Sequence, residues 1–204
     1  MSVKALINQK LIAEMDQGII RFRDFPMLVK DGLRDYSETV HSAGLNYITQ
    51  IGRSMDDIVS LSECPVYCVD DGEYAARLTR EIRPDSIWFD RDTMAPVLVA
   101  EFERYESNHS KNRKLQEKIE NLLIAYHQLG GKVPVILFVY WTYNNGTIAR
   151  DIDRYIGIFD KGFHLKNGKW IPGINSAITN YLVYQAVAQG NKDSMAIKQW
   201  VRVR

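Results

Sequence analysis

The sequence predicts an α/β protein with a mixed central sheet flanked by helices, and three segments in the middle of the chain carry this prediction. Residues 96–103 and 133–141 are apolar along almost their whole length, which is typical of strands buried on both faces. Between them, residues 111–129 place an apolar side chain at every third or fourth position, the pattern of an amphipathic helix. A strand, a helix and a second strand in this order form a crossover unit, whose two strands lie parallel in one sheet.

Two helices and a short strand are predicted before the crossover unit. Residues 3–17 form the first helix and residues 35–51 the second, where Asp35 and Glu38 have the spacing of a capping box. Residues 86–90 form a short β-rich segment. Only a short loop separates this segment from the next strand, so we expect the two to pair as an antiparallel hairpin.

A hairpin and a final helix are predicted after the crossover unit. Residues 155–163 and 169–171 flank the turn sequence Lys-Asn-Gly at 166–168, which is typical of a β-hairpin. Residues 175–189, which are followed by a glycine, are interpreted as a helix, and residues 194–204 as either helix or strand. The C-terminal part of the chain should therefore add a hairpin and a helix to the α/β core.

Length, composition and charge agree with a single globular domain over residues 1–204. Hydrophobic residues make up 46% of the chain and charged residues 25%, which excludes low-complexity disorder and a collagen-like structure. The net charge of +1 means that any nucleic-acid surface must come from local clustering of cations. The longest apolar stretches are too short to cross a bilayer, and no secretory signal is evident, so we expect a cytoplasmic protein with no membrane partner.

Three acids near the ends of two neighbouring strands are the most informative feature. Asp85 precedes one strand, and Glu101 and Glu103 lie at the end of the next, two apart and therefore on one face. Carboxylates brought together are costly unless a cation joins them, and oxygen ligands suit Mg²⁺ or Mn²⁺. The alternative is that the acids cap strand ends in solvent and pair with nearby arginines, namely Arg80, Arg83 or Arg104.

Pro84-Asp85 is followed by Glu101-Phe102-Glu103 at the end of an apolar strand. A basic amphipathic helix and another apolar strand come next. This arrangement resembles the PD-(D/E)XK nuclease superfamily. The resemblance covers about residues 35–141 and implies the restriction-endonuclease-like fold. The lysine that usually ends the motif is replaced by Glu103. This Glu-x-Glu pattern is similar to that of some type II restriction endonucleases.

The resemblance implies a metal-dependent deoxyribonuclease. Asp85, Glu101 and the main-chain carbonyl of Phe102 would hold one or two Mg²⁺ ions, for which Mn²⁺ could substitute, and the metal would activate water against a scissile phosphate. Glu103 would act as general base or as a ligand of a second metal. Glu38 would complete the acidic site, unless its role is to cap its helix. DNA is the implied substrate, and cutting both strands of a duplex would call for a homodimer.

Cations on the helix that follows the acids are candidates for binding nucleic acid. These residues are Lys111, Arg113, Lys114 and Lys118. Such a cluster would suit a phosphate backbone, and in the family the missing lysine can move onto this helix, where Lys114 and Lys118 share a face. The alternative is a solvated face whose cations pair with Glu117 and Glu120 along the helix.

Other interpretations stay open beside the nuclease. The chain could be a catalytically inactive domain of the same fold that binds nucleic acid or a protein partner, which the loss of the motif lysine favours. It could also be a structural protein of a mobile element with incidental acids. We expect His41 to be a hydrogen-bonded structural residue rather than a ligand, and His109 to lie in a surface loop.

Overall fold

The computed structural model describes residues 3–16, 36–67, 81–106, 109–143, 151–190 and 196–204. Within these ranges the chain is an α/β structure with a mixed six-stranded sheet and helices, as predicted. The helices are α1 (Val3–Asp16), α2 (Tyr36–Arg53), α3 (His109–Gln128) and α4 (Ile152–Lys161). The strands are β1 (Ile58–Ser62), β2 (Ser86–Asp90), β3 (Pro96–Arg104), β4 (Val135–Tyr143), β5 (Phe163–His164), β6 (Trp170–Ile171), β7 (Asn180–Gln189) and β8 (Ala196–Arg202).

The central sheet has the strand order β1-β2-β3-β4-β7-β8. Its first three strands are antiparallel neighbours, β3, β4 and β7 are parallel, and β8 is antiparallel to β7. The predicted crossover unit is confirmed, because α3 connects the parallel strands β3 and β4. The predicted hairpin of residues 86–90 with the next strand is confirmed as the β2–β3 pair.

Helices cover both faces of the sheet. α1 and α2 pack on the face that receives the side chains of Ala100 and Phe102 from β3. α3 and α4 pack on the opposite face, which receives Val99. Side chains alternate along a strand, so Glu101 and Glu103 follow Val99 onto the α3 face. The end of β3 is therefore apolar towards α2 and acidic towards α3.

Two C-terminal predictions are wrong. Residues 175–189 do not form a helix, because Asn180–Gln189 is strand β7, which lies between β4 and β8 and is buried along almost its whole length. Most of residues 155–163 belongs to α4, whose buried residues Ile152, Tyr155, Ile156 and Phe159 have helical spacing. The hairpin itself is present in shorter form as β5–β6, and the ambiguous residues 194–204 contain β8.

The predictions for the N-terminal helices and for α3 hold to within two residues of the observed bounds. Asp35, the other half of the proposed capping box, lies outside the described residues, as does Arg80. His109 is the first residue of α3 rather than part of a loop. None of the helices within the described ranges combines the length and apolar character needed to span a bilayer.

Candidate active site

The sheet brings Asp85 and Glu101 together at the end of β3. The antiparallel register places Ser86 opposite Ala100. Asp85, the residue before Ser86, therefore lies beside Glu101, the residue after Ala100. The main-chain N–H of Phe102 donates a hydrogen bond to Asp85 Oδ2 at 2.7 Å, which fixes this carboxylate against β3. Its second neighbour is the Glu101 carboxyl group, which lies close enough for the two acids to interact directly. The predicted convergence of these two acids is therefore observed.

All three predicted acids are buried. Asp85, Glu101 and Glu103 have exposed fractions of 4%, 1% and 3%. The alternative that these acids cap strand ends in solvent is therefore wrong. The arginines suggested as partners form other ion pairs: Arg83 pairs with Glu81, and Arg104 with Glu106.

Two lysines of α3 are the partners of the glutamates. Lys118 Nζ donates to Glu101 Oε2 at 2.6 Å, and Lys114 Nζ lies 2.9 Å from Glu103 Oε1. The pairing follows from geometry, because four helical residues rise about 6 Å and two strand residues span about 6.6 Å. A helix that packs along β3 can therefore match both spacings at once. The Lys118 side chain is 22% exposed, whereas that of Lys114 is 49% exposed.

Burial and like charge perturb the acids. Burial, followed by the neighbouring Asp85 carboxylate, raises the pKa of Glu101 well above its usual range, although Lys118 opposes this change. Burial alone would lower the pKa of Lys118, but the carboxylates of Glu101 and Asp85 outweigh it and raise the pKa. The cluster thus holds two carboxylates close together and depends on the partly buried cation of Lys118 to offset their charge.

Helix α2 closes the cluster from the opposite face of the sheet. His41 Nδ1 donates to the carbonyl oxygen of Phe102 at 2.8 Å, and His41 Nε2 lies 3.6 Å from Asp85 Oδ1. α2 can approach this closely because Gly44 lies on the Phe102 ring, where a β-carbon would collide with the ring. His41 is hydrogen-bonded, as expected. Its contact with both Asp85 and Phe102 was not predicted, because no spacing in the sequence relates residue 41 to residue 102.

Glu38 lies one turn before His41 on α2, and its side chain is exposed. A role for it in the acidic site stays a prediction.

The cations predicted to bind nucleic acid have different environments. Arg113 is exposed and pairs with Glu117 at 3.4 Å, as the solvated-face alternative predicts. Lys114 and Lys118 instead reach the acids of β3, so that alternative is wrong for both of them. The Lys111 side chain lies outside the described residues, and its predicted role stays a prediction.

The oxygen atoms at this site suit a small, hard divalent cation. Across the described residues, no three histidine, cysteine, aspartate or glutamate side chains are grouped as a ready metal site. The donors on offer are the carboxylates of Asp85 and Glu101 and the main-chain carbonyl of Phe102. Oxygen donors of this kind are preferred by Mg²⁺, and a cation between the two carboxylates would relieve the repulsion that raises the pKa of Glu101. The residues therefore fit the ion that the motif implies.

Comparison of the chain with protein-family models, with curated proteins and with solved structures found no match. The functional assignment therefore depends on the chemistry of the site.

Proposed function

We propose that the protein is a metal-dependent nuclease that hydrolyses phosphodiester bonds of DNA at the paired carboxylates of Asp85 and Glu101, with Glu103 beside them on the same face of β3. The contact between two buried carboxylates, covered by Lys118, is the observation that supports this proposal. Burying charged groups costs several kcal/mol each, and a strand end with only a structural role would be filled more cheaply by apolar side chains. Strongly perturbed acids in one place are typical of functional sites.

The arrangement of elements also supports assignment to the restriction-endonuclease-like fold. The antiparallel strands β1, β2 and β3 are followed by the parallel unit β3-α3-β4. The acids lie at the point where the antiparallel hairpin meets this unit, which is where the motif residues of that superfamily are expected. A homodimer, which would supply two sites for a duplex, is part of the same proposal.

In this mechanism Asp85, Glu101 and the Phe102 carbonyl would hold a divalent cation, which would polarise the scissile phosphate and lower the pKa of an attacking water. Lys118 supplies the positive charge that the motif loses at Glu103, because its ammonium group already lies on Glu101. There it can stabilise negative charge that develops on the phosphate oxygens.

Glu103 is held in position to accept a proton from water. Its Oε1 atom accepts the main-chain N–H of Arg104 at 2.9 Å and lies on Lys114. These contacts fix the carboxylate on the same face of β3 as Glu101. On the opposite face, the hydrogen bond from His41 orients the Phe102 carbonyl. His41 is therefore a positioning residue in this proposal.

Cleavage of supercoiled plasmid in Mg²⁺ and in Mn²⁺ tests the proposal. We expect wild-type protein to nick or linearise the plasmid. Asp85→Asn should lose activity by more than about 100-fold, above the effect of residues that only support metal ligands. Glu14→Gln is the matched control, since Glu14 is also a buried acid with a lysine partner, Lys10, but lies on α1 outside the cluster.

The alternative function has an observation in its favour, because the lysines already pair with both glutamates. An inactive domain that binds nucleic acid would shift a labelled duplex without cutting it in either metal. If wild-type protein and Asp85→Asn bind DNA equally and neither cleaves it, the nuclease proposal is wrong and the binding module is supported. Equal cleavage by both proteins would also contradict the role of the cluster.

A further inference from the structure

A groove of about 710 Å³ lies between α3 and the β5–β6 hairpin. Lys114 and Lys118 line one end of it, and these are the lysines that reach Glu103 and Glu101. The α3 wall continues from these lysines to Ile124, and the hairpin, including Lys166 of its turn, forms the facing wall. The groove therefore leads away from the acid cluster, and a chain-like molecule held at the acids could continue along it.

The lining of this groove has the chemistry of a nucleic-acid site. An ammonium group has three N–H donors, so Lys114, which is half exposed, can contact a phosphate while it keeps its contact with Glu103. Lys166 is exposed on the opposite wall. Ile124, Phe163 and Leu165 add apolar surface between the two lysines. Two acids also line the α3 wall: Glu117, which pairs with Arg113, and Glu120, which accepts a hydrogen bond from Gln116. The cations on both walls and the apolar lining between them suit a phosphate backbone with bases attached.

An exposed aromatic pair stands at the hairpin end. His164 and Trp170 are cross-strand partners, and their ring centroids are 4.8 Å apart. Trp170 is 41% exposed, although Ile171, the next residue of β6, is fully buried. His164 lines the groove, so the exposed indole that contacts it offers a surface at the margin of the groove on which a base can stack.

We propose that this groove binds a single strand of nucleic acid, with phosphates on Lys114 and Lys166 and a base on Trp170. The proposal rests on the nuclease function for what lies at the acidic end. From Lys114 to Ile124 the helix rises about 15 Å, enough for about four stacked nucleotides at 3.4 Å each. A single strand is favoured over a duplex because stacking on Trp170 needs a base whose face is free.

Binding of a fluorescein-labelled oligothymidylate of about ten nucleotides, measured by anisotropy in EDTA, tests the proposal without cleavage. Trp170→Ala should weaken binding by about 5- to 100-fold, the effect of losing one stacked base. Trp170→Phe should restore most of the affinity. Lys166→Glu should weaken binding and lower the slope of log affinity against log salt by about one. Tyr67→Ala, which removes an aromatic residue that is 60% exposed, and Lys198→Glu on β8 are the matched controls.

Three results would overturn this inference. The first is unchanged affinity in Trp170→Ala and Lys166→Glu. The second is displacement of the oligonucleotide by polyglutamate at equal charge concentration, which would indicate a site for acidic peptides. The third is tighter binding of a duplex than of the single strand, with an affinity for the duplex that Trp170→Ala leaves unchanged. Since the assay contains no divalent metal, failure of the nuclease proposal appears separately, in the plasmid assay with Asp85→Asn.

Discussion

Helix α3 is anchored by different chemistry in its first half, here called its charged end, and in its last turn, here called its neutral end. At the charged end, Lys118 at the middle of the helix forms a partly buried ion pair with Glu101 beside a second carboxylate. At its end, the Tyr126 hydroxyl donates to the Gly131 carbonyl and accepts from Asn175 and Thr179, all without formal charge. The end of the helix is thus fastened by neutral, satisfied hydrogen bonds, which cost little to bury. At the charged end, the carboxylates of Glu101 and Asp85 must be offset by the ammonium group of Lys118. This is the end that we assign to function.

The largest expected effect comes from unbalancing the charged end. Lys118→Met should lower the free energy of unfolding by about 3 kcal/mol, because it leaves Glu101 and Asp85 buried without their cation. The measurement is urea unfolding at pH 7.5. Lys114→Met is the comparison variant: its side chain is half exposed, and Glu103 keeps the main-chain N–H of Arg104, so it should cost less than Lys118→Met.

A double variant sharpens this test. Adding Glu101→Gln to Lys118→Met removes both charges of the pair, so stability should recover most of what the single variant lost. Equal stability of Lys118→Met and wild type would contradict the ion pair as an anchor of α3. Both Lys118→Met and the double variant should be defective in plasmid cleavage, because each lacks at least one group of the proposed site.

A smaller effect is expected at the neutral end of α3. Tyr126→Phe leaves the Gly131 carbonyl without this donor, and the Asn175 N–H and the Thr179 hydroxyl without this acceptor. We expect a loss of about 1–3 kcal/mol in urea unfolding, with the rate of plasmid cleavage unchanged. Tyr126 lies eight residues beyond Lys118, roughly 12 Å along the helix. A loss of cleavage by folded Tyr126→Phe would therefore break the functional separation of the two ends.

The two ends also differ in what the sequence could predict. The meeting of Asp85 and Glu101 follows from a local hairpin, whose register the short connection between β2 and β3 determines. The pairing of Lys118 with Glu101 could not be predicted, because it depends on how α3 lies on the sheet. The same holds for His41 and the Phe102 carbonyl, which are 61 residues apart in sequence.

The fold shows the same limit. Periodicity identified β3, α3 and β4, because a long amphipathic helix between two apolar runs has few other interpretations. β7 was missed because it is buried on both faces between β4 and β8. Apart from Gln185 its interior is apolar and shows no alternation, so it cannot be told from a buried helix by pattern alone. The glycine that follows it suits the end of either element.

The smallest effect concerns pH and the neutral end of α3. Burial lowers the pKa of His127, although its hydrogen bond to the Pro172 carbonyl works in the opposite direction. The unfolded chain, with an ordinary histidine pKa near 6.5, therefore binds the proton more readily than the folded chain. The contribution of His127 to stability is complete above that pH and falls as the pH drops through the lowered pKa.

The test compares the decrease in the urea midpoint from pH 7.5 to pH 5. This decrease should be smaller in His127→Gln, which keeps an N–H donor for Pro172, than in wild type. In His164→Gln, on the exposed hairpin, it should equal that of wild type. If the urea midpoints of wild type and His127→Gln change with pH in parallel, protonation of His127 does not oppose folding. The neutral end of α3 would then accommodate a charged histidine without loss of stability.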